Sequence, residues 1–325
     1  LLALTLLESG RRAEAVRTLD FLLSACFAPG GALNPCLTYD RESCAFTPEQ
    51  VCAALGGEDG LRVCRLLGLR RQHTGLPPKV TPSRFSPVED SPEADLPRTP
   101  TLPHSLTPED AAFLRRVMPQ LQPVRAARTP PTPAPCILSE DCALAAAVFA
   151  LCGRRLGESR YIQAAQRAVG YLAALSPALP PSYSPVSALN AQLTCGAGAA
   201  LALALLTLGQ AEELHTYRES GLRLLGAALH AFTTPDGLPM HTPQDAAAFF
   251  PRIPAVWDSE LPSPAALLLH ALTLADACRP QAGYKDAALV LWQAAAPYAR
   301  QQPLACAGLI DAAHFTLSES REAPA

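Results

Sequence analysis

The sequence predicts an all-α protein, an α/α toroid built of helical hairpins and interrupted by a proline-rich irregular segment. Three observations predict it. Apolar Ala/Leu-rich stretches alternate with amphipathic ones, as expected of inner helices covered on most sides and outer helices with one wet face. Three of the amphipathic stretches open alike, with a polar turn and then a tyrosine: Tyr161, Tyr217 and Tyr284, 56 and 67 residues apart. Of the 33 prolines, which helix interiors do not tolerate, 15 are gathered between Pro77 and Pro135.

The elements follow in order. The opening "LLESGRRAEAVRTLDFLLSAC" fits one hairpin without its tyrosine. It has neither an initiator Met nor a basic region before the apolar run, so it reads as a chain entered within a helix and not as a signal peptide. Prolines mark helix starts at Thr47-Pro48-Glu49, Thr107-Pro108-Glu109, Ser184-Pro185 and Ser263-Pro264. The second of these opens a short helix that ends before Pro119. Arg154–Leu175, Gln210–Leu229 and Arg279–Tyr298 each carry a turn and an outer helix. The spacing is too long for repeats of about 34 residues and too irregular for a regular solenoid, which is the competing arrangement. The expected organisation is first toroid hairpins over 1–76, a Pro-rich linker with one short helix over 77–135, and the remaining hairpins over 136–325.

Composition narrows the function classes. With 26 basic against 29 acidic residues there is no basic stripe for nucleic acid, so no nucleic-acid partner is expected. The longest apolar run, Cys195–Gly209, is shorter than the ~20 residues of a membrane span, and a buried helix is expected there. The 11 cysteines are odd in number, show no C-x-x-C spacing and lie mostly in apolar runs, where thiols pack as small hydrophobes. A reducing, cytoplasmic setting follows as an expectation. No clustered His/Cys ligands, phosphate loop or dinucleotide glycine pattern occurs, so neither metal nor cofactor is expected.

Four segments carry a resemblance: Gly30–Gly60, Arg128–Ala165, Ala191–Gly209 and Trp257–Ala275. In order and spacing they resemble the C-terminal part of the thioredoxin-fused family related to spermatogenesis-associated protein. The resemblance implies a toroid similar to six-hairpin glycosidases and N-acylglucosamine epimerases, with an upstream thioredoxin-like domain as partner in the full-length protein. The polar positions depart from the family pattern. Its Asp-Asp-Lys stands here as Ala134-Pro135-Cys136, and its Trp-Asn-Gly as Asp141-Cys142-Ala143. Its Glu-Asp-Tyr is Thr194-Cys195-Gly196, and its Gly-Asn-Ser is Pro264-Ala265-Ala266. In the first loop its paired aspartates face Asn34, Pro35, Cys36 and Leu37, with Asp40 and Glu42 displaced beyond them.

Sugar chemistry asks for two carboxyls across a ligand, roughly 5–9.5 Å apart, or an acid and a base about one carbon. The candidate acids at inner-helix starts and loops are Asp40, Glu140, Asp141, Asp258 and Glu260. Glu140 and Asp141 are adjacent, so on a helix they diverge by about 100° and are not expected to face one ligand together. Trp257 is the candidate sugar-stacking residue, and His241 the candidate loop histidine. His270 reads as a core histidine and Trp292 as packing between hairpins. The expected function is a non-catalytic scaffold or interaction domain that has lost its cavity residues. The alternative is a carbohydrate-active enzyme, epimerase-like or hydrolase-like, with Asp258 acting beside His241 or Asp141 on a carbohydrate ligand.

Overall fold

The computed structural model describes residues 1–28, 30–34, 36–38, 45–69, 106–130, 132–133, 137–174, 182–183, 194–210, 214–244 and 252–318. They are almost wholly helical, and they fall into two compact units: 1–37 with 133–325, and 38–132.

The larger unit contains α1 (Leu2–Glu8), α2 (Arg12–Ala25), α7 (Ser139–Leu156), α8 (Ser159–Ala174), α9 (Cys195–Leu208), α10 (His215–Phe232), α11 (Pro264–Cys278), α12 (Tyr284–Gln301) and α13 (Ala307–Ser318). One ladder of two pairs joins β1 (Ile137–Leu138) to β2 (Ser182–Tyr183). Helices α1, α7, α9, α11 and α13 pack side by side in that order, and α2, α8, α10 and α12 each back the inner helix before them. This is the two-layer arrangement of a toroid-type fold.

Composition explains which helix goes where. In α9, "CGAGAALALALLTL", every residue but Leu203 is buried, so a helix apolar all round lies between neighbours on every side. Helix α8 buries one face only, through Tyr161, Ala164, Ala165, Ala168, Val169 and Leu172. Side-chain caps set two inner starts: Thr194 Oγ1 accepts from Ala197 N, and Ser263 Oγ accepts from Ala266 N. Tyr161 is fully buried, its ring 5.8 Å from that of Phe149, and its hydroxyl donates to Asp20 Oδ1 of α2 at 2.8 Å. The other repeat tyrosines, Tyr217 and Tyr284, are partly buried against the same core.

The smaller unit holds α3 (Pro48–Leu55), α4 (Gly57–Leu66), α5 (Pro108–Val117) and α6 (Gln122–Ala126). Thr47 and Gln50 form a reciprocal capping box at α3, and Thr107 accepts from Asp110 N at α5. Its core is Val51, Val63, Cys64, Phe113, Leu114 and Val117. Arg62 ties α4 to Glu109 and Asp110 at 3.0 and 2.8 Å, with its guanidinium 4.4 Å from the Phe113 ring centre.

The division differs from the expected boundaries at 76/77 and 135/136. The α3–α4 hairpin belongs to the 38–132 unit, and the residues expected as linker supply half of that unit's core. The cause is the apolar stripe Phe113, Leu114 and Val117 on α5, which has to be buried against something. Asp40 and the Ser184-Pro185 start lie outside the described residues.

Tyr161→Phe keeps the buried ring and removes the hydroxyl that joins α8 to α2. Urea denaturation is expected to show a loss of about 1 kcal/mol, the usual net value of one such bond.

Candidate functional site

The inner helices start at one end of the larger unit. In the first turn of α7, Glu140 lies against Gly196 in the first turn of α9. Ahead of α11, Asp258 reaches Gly308 N in the first turn of α13. Helix ends are where an all-helical layer can present polar side chains, since the shafts of the inner helices are packed on apolar neighbours.

At this end an open cleft of about 380 Å³ is lined by Leu138, Glu140, Asp141, Ser259, Glu260 and Leu261. Glu140 and Asp141 thus share one cleft, contrary to the divergence expected of adjacent helical residues. The reason is position: both lie in the first turn, where side chains project past the end of the helix, and the cleft sits there and not along its flank. Glu260 comes from the loop before α11 and is exposed.

Burial pushes the Glu140 carboxyl up from 4.5 to about 7, and the charge of Asp141 adds to the shift. Burial also raises Asp141, with Glu260 as the second cause. The helix N-terminus opposes both, but it contributes only about 0.3–1 kcal/mol. The Glu140 shift corresponds to about 3 kcal/mol in the other direction, so burial and repulsion win. Gly196 makes the placement feasible. A Cβ there would lie 2.2 Å from Glu140 Oε2 and 2.3 Å from Oε1, so the carboxyl occupies the space left by the missing side chain. Chemically, the cleft holds a carboxyl that exchanges protons near neutrality beside two further carboxyls.

Asp258, Trp257 and His241 are not among the residues that line this cleft. Both oxygens of Asp258 are engaged by backbone: Oδ1 accepts from Ser263 N at 2.8 Å and Oδ2 from Gly308 N at 2.7 Å. The side chain fastens the starts of α11 and α13. Trp257 stands edge-on to Tyr298, ring centres 5.6 Å apart, and packs into the core. His241 has an exposed side chain, although the protein around it still lowers its pKa through burial. Its backbone is fixed, N donating to Ile253 O and O accepting from Cys195 N at the start of α9. Asn34 donates from Nδ2 to Cys26 O at 3.3 Å. His270 is half-buried beside Phe315, and Trp292 packs against the core. Cys142 and Cys152 are fully buried, each raised by that burial to about 11.

The space beside Gly196 is taken by the Glu140 carboxyl, from a segment 56 residues earlier. Nothing in local spacing signals that contact. Among the described residues no group of His, Cys, Asp and Glu is arranged to hold a metal ion, and no helix is long and apolar enough to cross a membrane.

No family model and no curated protein matches the chain. Among solved structures, it is similar in part to a selenomethionine derivative of the GH76 alpha-mannanase from Bacteroides thetaiotaomicron, at 12% identity and a TM-score of 0.41 over 52% of this chain and 45% of that one. It is also similar in part to a D-mannose isomerase, at 17% identity and a TM-score of 0.38 over 49% of this chain and 40% of that one. The chain therefore spans less than half the length of either structure. Likeness at this level says nothing of the chemistry.

Glu140 holds its proton more tightly folded than unfolded, so its contribution to stability falls as pH rises from 4.5 to about 7. Glu140→Gln is expected to stabilise the protein by up to about 3 kcal/mol at pH 8 and to change little at pH 4, read from urea titrations at both pH values. Asp258→Ala strips the acceptors from two backbone N–H groups and should cost about 3 kcal/mol in the same assay.

Proposed function

We propose that the chain is the helical-toroid region of a thioredoxin-fused protein and serves as a non-catalytic scaffold or interaction domain. The observation that carries the reading is Asp258. Its two carboxylate oxygens accept from Ser263 N and Gly308 N, so the acid best placed before an inner helix is consumed in holding helices together. Trp257, the ring that would stack on a sugar, is packed on Tyr298. Asn34, in the first loop, is turned onto a backbone carbonyl. Three polar or aromatic residues at or near the inner-helix starts thus serve architecture. The fused partner rests on the sequence resemblance alone. A full-length sequence lacking a thioredoxin-like βαβ before Leu1 would remove that half of the reading.

One observation favours a second reading. Glu140, raised to about 7 beside Asp141 and Glu260, has the proton affinity of a general acid–base catalyst near neutral pH. A carbohydrate-active enzyme of hydrolase or epimerase type would use it as proton donor, with one of its neighbours as the ionised partner.

Thermal-shift measurements with mannose, glucose, N-acetylglucosamine and their short oligosaccharides separate the two. The scaffold reading expects the melting temperature to stay unmoved across the panel. A saccharide that raises it by several degrees, with the rise abolished in Glu140→Gln, would replace that reading with the second.

A further inference from the structure

The core cluster of the 38–132 unit is small, six buried apolar side chains among the described residues, and small cores are commonly reinforced by a covalent staple. Its two helices α3 and α4 touch backbone to backbone. A Cβ on Gly60 would lie 2.6 Å from Cys52 Cα and 3.0 Å from Cys52 Sγ, so only glycine permits the approach. One helical turn beyond Gly60, Cys64 faces the same seam. Its thiol lies 4.0 Å from Pro48 O, one turn before Cys52, so both thiols lie along one seam. A disulfide needs Cα atoms roughly 4.4–6.8 Å apart, so closing one here depends on a seam as tight as this.

We propose that Cys52 and Cys64 form a reversible disulfide that staples α3 to α4, made by exchange with a low-molecular-weight disulfide. Cys52 is the half-buried, accessible member and Cys64 the buried one. The Cys52 thiolate attacks one sulfur of the small disulfide. That forms a mixed disulfide and expels one small thiolate, which takes up the proton Cys52 lost. Cys64 then loses its proton and attacks the Cys52 sulfur, closing the intramolecular bond and expelling the second small thiol. Two protein thiols and one small disulfide become one protein disulfide and two small thiols, so the electrons balance within the exchange. Burial and the neighbouring Cys52 and Glu49 raise the Cys64 thiol. It is therefore a poor first nucleophile, and its part is to resolve an adduct already held beside it.

The test uses the whole chain with Cys44→Ser, since Cys44 and Cys52 share one tryptic peptide and Arg62 separates them from Cys64. The protein is incubated with oxidised glutathione at pH 8, alkylated, digested without reduction and read by mass spectrometry. The expected product is the peptide bearing Cys52 joined to Val63–Arg65, with a melting temperature several degrees higher that returns to its starting value on reduction. Cys64→Ser should instead accumulate a stable glutathione adduct on Cys52. Cys52→Ser, at the accessible position, should leave Cys64 unmodified, which keeps the test decisive if Cys64→Ser folds poorly. A glutathione adduct on Cys52 that persists with Cys64 intact would overturn the proposal, as would both thiols staying reduced.

Discussion

The constraint on which the larger unit depends is that its central inner helices, α7, α9 and α11, are packed on nearly every side. In α9, small residues such as Ala197, Ala199, Ala200, Ala202 and Ala204 are buried, and they let neighbouring helices approach closely. A polar side chain on such a shaft would lose water and gain no partner, at a cost of roughly 1–3 kcal/mol. The polar groups that do occur there turn inward onto the helix itself. Thr207 and Thr273 return their hydroxyls to carbonyls four residues back, and Thr273 also meets Thr316 of α13. Charge is thereby confined to helix ends and outer faces.

That confinement explains the end at which α7, α9, α11 and α13 begin. Two solutions to the placement of an acid sit there side by side. Asp258 is satisfied by two backbone donors and joins two helix starts. Glu140 is pressed into the space above Gly196 and holds its proton to about neutrality. The first carboxylate is held in place by backbone donors, while burial and a neighbouring charge disfavour the ionised form of the second. The same type of side chain becomes a fastener in one place and a proton carrier in the other because of what surrounds it.

Much of the fold was legible in order. The Ala/Leu stretches became inner helices, the tyrosine-led stretches outer ones, and the Thr-Pro and Ser-Pro pairs at Thr47, Thr107 and Ser263 became helix starts. These features are local: periodicity sets which face is buried, and a proline after a hydroxyl residue sets where a helix begins. The unit boundary was not legible, because it depends on what the apolar stripe of α5 packs against. At the site, Asp141 lines the cleft, whereas Asp258 is held by Ser263 and Gly308 and Trp257 by Tyr298. Nearness to an inner-helix start, which the sequence shows, does not say where a side chain points.

By itself the sequence determined that the chain is helical, layered into hairpins, and poor in the charged shafts that would expose an inner helix to water. Each of these follows from interactions within one or two turns of the chain. Tertiary structure alone decided that Glu140 would lie over Gly196, that Asp141 would come under the field of Glu260, and that Gly60 would close onto Cys52 with Cys64 a turn further along the seam. These pairings join residues from different elements, and they depend on how closely two backbones approach, which no local pattern encodes.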